Sequence, residues 1–154
     1  MISLKDKKGF TIVELLIVIV VIGILATFVI IAYGGIQEKA RNVKRQNDIN
    51  ALQTALEGYH QANGHYPNRT DMNTPSFVSG LKGFDSDALI DPSNPSQDKT
   101  LVASPVAKSY SYAVSDLNDV NCETNREECA KYTLTATYEG TVKGSTTYKK
   151  YNLN

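Results

Sequence analysis

The sequence predicts an α+β protein: a long N-terminal helix, apolar in its first half and amphipathic in its second, packed on an antiparallel sheet of three strands or more. Three observations carry this. An apolar run fills residues 10–33, a proline-free stretch of helical period continues to Gly64, and alternating tyrosine-rich segments occupy the last third. The expected organisation is a leader at 1–9, an apolar helix half at 10–33, an exposed helix half at 34–64, and a loop-and-sheet head at 65–154.

The apolar run from Phe10 to Tyr33 carries a single charge, Glu14. As a helix it is about 36 Å long at 1.5 Å per residue, enough for a bilayer core of about 30 Å. It is too long for the apolar region of an ordinary secretory signal, and no A-x-A cleavage site follows it. Lys5, Lys7 and Lys8 precede it against Asp6, and basic flanks tend to stay in the cytoplasm. That places the tail outside, although Lys39, Arg41, Lys44 and Arg45 flank the other end. Cys122 and Cys129 lie only in the tail, and in an exported domain such a pair reads as a disulfide. The alternative is two free thiols in a cytosolic tail.

In the exposed half, Ile49, Leu52, Leu56 and Tyr59 recur at steps of three and four, with Ala55 beside them and Ala40 and Val43 extending the stripe backward. Gln37, Glu38, Lys39, Arg41, Lys44, Arg45 and Gln46 are strong helix formers. Gly23 and Gly34-Gly35 are the positions where the helix would loosen, and Asn63-Gly64 is a fitting stop. Residues 65–105 hold all 5 prolines and read as loop, with a short helix near Phe77–Leu81. Strands are expected at 108–115, 131–139 and 144–153, with Gly140 and Gly144 marking the last turn. Three strands have one apolar face to bury. The stripe on the exposed helix half is the only large apolar partner available to it.

The 16 basic and 16 acidic residues cancel, so the composition as a whole offers no pull towards nucleic acid or anionic lipid. Asp116, Asp119, Asn121 and Glu123 supply oxygen donors that would suit calcium, but their spacing matches no fixed calcium loop, and a solvated acidic turn explains them as well. His60 and His65 read as surface residues without a third metal ligand. Asn68-Arg69-Thr70 is a glycosylation sequon of the kind that arises by chance. The 9 tyrosines sit largely at sheet positions, where amphipathic packing explains them. No catalytic triad, Cys-His pair, paired carboxylates or phosphate loop stands out, and the chain does not read as an enzyme.

Lys8–Leu16, K-G-F-T-x-x-E-L-L ahead of an apolar helix, resembles the N-terminus of type IV prepilins and type II secretion pseudopilins. YHQANGHYP at 59–67 resembles the end of their long helix. The resemblance covers residues 1–67; beyond them it is architectural. It implies a pilin-like fold and cleavage by a prepilin peptidase between Gly9 and Phe10. The new N-terminus at Phe10 would be N-methylated. An inner-membrane assembly platform would then build a helical homo-oligomeric filament, with no enzyme activity. The subunit would span the cytoplasmic membrane once before assembly and stand at the cell surface or on the periplasmic side afterwards. The absence of a helix-breaking proline in the apolar half departs from many pilins.

The resemblance also gives Glu14 a purpose. A charge at the centre of a membrane helix costs about 2.5–3.5 kcal/mol on insertion scales. Cleavage creates an α-amine at Phe10, and in a dry bundle the Glu14 carboxylate of one subunit can pair with the amine of its neighbour. Three functions follow in order of expectation: a type IV pilus subunit for adhesion, surface motility or DNA uptake; a pseudopilin of a secretion or competence machine; and a single-pass anchored binding protein that never polymerises.

Overall fold

The computed structural model describes residues 9–124 and 128–153. It divides into two compact units, one ending at Glu38 and one beginning at Lys39. Each is described by itself.

The first unit is the opening of helix α1, Ile12–Asn63. Its described large apolar side chains are exposed, Phe10 just before the helix at 88% and Ile30 within it at 73%. An apolar helix of this length meets the requirements for a membrane span. Inside a bilayer every backbone polar group needs an internal partner, which a helix supplies. Thr27 follows the same rule, its hydroxyl donating to the Gly23 carbonyl at 2.8 Å. Gly23 and Gly34-Gly35 lie within the continuous helix, where no loosening is seen.

In the second unit the remainder of α1 backs a sheet of β1 (Tyr110–Ser115), β2 (Lys131–Val142) and β3 (Ser145–Tyr151) in the order β1-β2-β3. Both pairings are antiparallel, with Val114 opposite Tyr132 and Tyr148 opposite Ala136. Ile49, Leu52 and Leu56 are fully buried against Tyr110, Tyr112, Leu134 and Ala136. Burying each such aliphatic side chain stabilises the fold by about 1.5–3 kcal/mol. Four sheet tyrosines place their rings at this seam and their hydroxyls on helix side chains. Tyr110 donates to Asp48 at 2.7 Å, Tyr132 to Glu57 at 2.8 Å and Tyr148 to Asn50 at 3.1 Å, while Gln46 donates to Tyr138 at 2.6 Å. A buried phenol needs such a partner, so the tyrosines fix which face of α1 meets the sheet.

The inward stripe differs from the expected one at its N-terminal end. Val43 is 47% exposed and Ala40 is exposed too, whereas Asn42 and Arg45 are buried. Positions 42, 45, 49, 52 and 56 share one helical face, so the face runs on in phase but changes from apolar to polar.

Gly64, at φ +80°, ends α1, its amide donating to the His60 carbonyl at 2.8 Å. The loop that follows contains α2 (Arg69–Met72), α3 (Pro75–Val78) and a 3-10 turn at Ser86–Leu89. The expected short helix thus starts earlier than Phe77, because Pro75 suits the first turn of a helix. The last hairpin turns on Lys143 and Gly144, both at positive φ, as a tight two-residue hairpin turn requires. Gly140, also at positive φ, lies inside β2 where the register shifts between Thr137 and Val142. It marks a bulge rather than the turn.

Candidate functional site

Gly9, Phe10 and Thr11 precede the helix. Thr11 is the N-cap and Glu14 the third helical residue. The Thr11 amide donates to Glu14 Oε2 at 2.8 Å, and the Glu14 amide donates to Thr11 Oγ1 at 3.2 Å. This reciprocal pair is a capping box. The Thr11 hydroxyl adds a third bond, donating to the same Oε2 at 2.8 Å. T-x-x-E at residues 11–14 is the sequence signal for it, masked by apolar surroundings that make Glu14 look like a charge problem alone. One carboxylate oxygen therefore closes the helix end. Among the described residues Oε1 has no partner. Residues 1–8, with the basic leader, lie outside the described residues.

In the head, Cys122 and Cys129 form a disulfide with Cα atoms 5.5 Å apart, and both are buried. The Cys129 carbonyl accepts from the Tyr66 amide at 2.8 Å. The disulfide loop is thereby tied to the exit from α1. Each of the four residues considered for calcium makes a contact within the protein. Asp116 Oδ1 accepts the amides of Asn118 and Val120, Asp119 pairs with Lys131 at 2.9 Å, Asn121 accepts the Glu123 amide, and Glu123 pairs with Arg69 at 3.2 Å. His60 stacks on Tyr66 with ring centroids 4.4 Å apart, and His65 meets Tyr59 edge-on. Asn68 caps α2 through Oδ1, and its Nδ2 donates to the Glu123 carbonyl at 3.0 Å. Asn68 is 5% exposed, a residue enclosed in the folded head.

The head also holds a largely buried ion cluster that the sequence does not predict. Arg45, with its side chain 1% exposed, grips the fully buried Asp91 through Nε at 2.7 Å and Nη2 at 3.0 Å. Nη2 also reaches Glu139 Oε1 at 2.8 Å, and Nη1 donates to Asn42 Oδ1. Arg41 clasps Glu139 from its other side, Ser93 donates to it, and the Asn42 amide donates to the Glu139 carbonyl. Hydrogen bonds from Arg41 above all, then Ser93 and Arg45, hold the Glu139 carboxyl well below its usual range against the opposing effect of burial. Burial works against the Arg45 charge, but bonds to Asp91 and Glu139 outweigh it and the guanidinium is held protonated. Asp48 is pushed up by burial, which its bonds from Tyr110 and Lys44 only partly offset. The cluster joins α1, the loop at Asp91–Ser93 and the end of β2. No periodicity signal reveals it, since Arg41 and Arg45 look like solvated helix formers until Asp91 and Glu139 arrive from 46 and 94 residues away.

A long helix, apolar and capped at its start, whose second half forms one wall of a small antiparallel head, is a pilin-like architecture. The prokaryotic N-terminal methylation motif matches residues 4–30. The type II secretion system core protein G of Escherichia coli K12 is 46% identical over 72 residues, 47% of this chain and 49% of that protein. The protein of the same name from Vibrio cholerae is 39% identical over 77 residues, 50% and 52% of the two chains. A fimbrial protein of Pseudomonas aeruginosa is 32% identical over 99 residues, 61% and 59% of the two. The chain thus spans about half the length of the type II secretion relatives it matches. No solved structure matches. By this motif and these partial similarities the chain is like the type IV prepilins and type II secretion pseudopilins.

Proposed function

We propose that the chain is a pseudopilin, a core subunit of a type II secretion machine that polymerises through its apolar helix. The similarity to type II secretion core protein G in several bacteria carries this reading. It reverses the order expected from the sequence, where a pilus subunit came first. In this reading a prepilin peptidase cuts between Gly9 and Phe10, the Phe10 amine is methylated, and an inner-membrane platform adds each subunit to a helical stack. Glu14 Oε2 serves the subunit's own helix end. Oε1 is left to meet the Phe10 amine of a neighbour, a pairing that offsets desolvation only where water is excluded. The role is structural rather than enzymatic.

The pilus reading remains second, supported by the fimbrial relative and by the disulfide in the head. Deleting the gene separates them. A pseudopilin is needed for exoproteins to leave the periplasm, so they should accumulate there in the deletion strain while surface filaments persist. Lost filaments with normal secretion would favour the pilus. Normal secretion and normal filaments, with no polymer on overproduction, would leave only an anchored binding protein.

A further inference from the structure

A groove of about 650 Å3 lies on the side of α1 turned away from the sheet. Ala51, Ala55, Gly58 and Ala62 form its helical wall, and Leu81 and Lys82 its other wall. Residues this small at steps of four and three bring an incoming chain close to the helix backbone. Among the described residues lining the groove, Lys82 is the one that carries a full charge, and it makes no ion pair among the described residues.

Elsewhere on the same unit, the turn Asp116–Asn121 has the complementary character. It is tightly built: the Asp116 amide donates to the Val120 carbonyl at 2.8 Å, Asp116 Oδ1 takes two amides, and Lys131 Nζ donates to the Leu117 carbonyl at 2.9 Å. That scaffold leaves Leu117 74% and Val120 60% exposed, two aliphatic side chains on a backbone that cannot fold them inward. Asp116 and Asp119 flank them; Lys131 pairs with Asp119 at 2.9 Å, which leaves Asp116 as the aspartate of the turn with no ion pair among the described residues. Single exposed aliphatic residues need no explanation. A pair held outward on an ordered acidic turn, on a molecule that also bears an apolar groove edged by an unpaired lysine, does.

We propose that the turn Asp116–Asn121 of one copy docks in the α1 groove of a second copy. Leu117 and Val120 fill the apolar space, and Lys82 faces the carboxylate of Asp116. The two surfaces differ, so each copy offers both and the contact repeats head-to-tail instead of closing into a two-fold dimer. Repetition of that kind generates a helix of subunits. The contact adds a specific seam between heads to the packing of apolar helices, and it rests on the reading that the chain polymerises.

Cysteine pairing tests it in the full chain in cells. Leu117→Cys is placed in one tagged copy and Gly58→Cys in a differently tagged copy. An added Cβ at Gly58 meets nothing within 4 Å, and the native cysteines are buried in their own bond. The expected result is a mixed disulfide dimer at least about tenfold above the pairing of Gly58→Cys with Lys149→Cys, about 1.4 kcal/mol of preference. Lys149 lies on the opposite sheet face. Filaments present with pairing no better than that control would overturn the contact while leaving the functional reading intact. Neither filaments nor pairing would overturn both. Pairing without filaments would keep the contact and overturn polymerisation. As a second arm, Leu117→Ser with Val120→Ser should cut filament yield about tenfold while the head keeps its trypsin resistance. Undiminished yield would overturn the contact.

Discussion

Replacing Asp91 by Asn should unfold the head more readily than its single-atom change suggests. Asp91 is fully buried, and its two oxygens receive Arg45 Nε at 2.7 Å, Arg45 Nη2 at 3.0 Å and the Ser93 amide at 2.8 Å. Asparagine keeps an acceptor for Ser93 but turns an NH2 towards the Nε–H, donor against donor. Arg45 then keeps Glu139, 2.8 Å away, as its remaining anion. Removing one partner of a buried pair costs about 3–5 kcal/mol, and the surviving contact places this case near 3 kcal/mol. At about 4 °C per kcal/mol for a domain of this size, Tm should fall by about 12 °C. The assay is near-UV circular dichroism of the detergent-solubilised full chain, which follows the packed tyrosines and ignores the apolar helix. The double variant Arg45→Met, Asp91→Leu should recover at least half of the loss, since a well-packed apolar pair often equals or exceeds a buried ion pair. A Tm for Asp91→Asn within about 3 °C of wild type, less than about 1 kcal/mol, would refute the claim that the buried pair anchors the head.

Gly9→Val should leave the chain membrane-inserted but full length on an immunoblot, because the peptidase must approach the backbone closely there; normal trimming would move the cleavage site elsewhere. Glu14→Gln retains the capping box, as glutamine serves at that position, and loses only charge. Its sheared-filament yield should fall to near that of Glu14→Ala, which also loses about 1 kcal/mol of cap; wild-type yield from the glutamine variant would make the cap, not the charge, its contribution. Denatured, unreduced protein should take up no alkylating reagent at Cys122 or Cys129, and reduction should lower head stability by roughly 2–3 kcal/mol; two reactive thiols before reduction would remove the bridge. In acid, Glu139 contributes stability that is present above the unfolded carboxyl range near pH 4.3 and is lost as pH falls towards its depressed folded value. Asp48, raised when folded, runs the opposite way. Glu139→Gln should therefore flatten the decline in Tm below pH 4, and an unchanged slope would count against the cluster as its source.

Much of the fold was legible because it rests on repetition. Ile49, Leu52 and Leu56 mark a helical face, and Tyr110, Tyr112, Leu134 and Ala136 mark an alternating one; each pattern states which side is buried. Asn63-Gly64 also stopped the helix where expected. What was not legible depends on partners distant in the chain. Arg45 is buried only because Asp91 and Glu139 receive it, and nothing local to residue 45 says so. The shift of the inward stripe from Val43 to Asn42 follows from the same cluster. At the candidate site the basic leader, Gly9, Phe10 and Glu14 could be picked out as a motif, but the use of one Glu14 oxygen by Thr11 is a matter of side-chain geometry. The turn of Leu117 and Val120 carried no periodic signal at all.

The ion cluster also decides where this protein can be divided. A soluble fragment begun at Ile49 would keep every apolar residue of α1 that touches the sheet, and would look sufficient from its core alone. It would nevertheless strand Asp91 and Glu139 without Arg41 and Arg45, one carboxylate wholly enclosed and the other a third exposed. A head that keeps both arginines begins before Arg41, as the unit starting at Lys39 does. The length of helix that any excised head must carry is set by the positions of two arginines rather than by the extent of its greasy face.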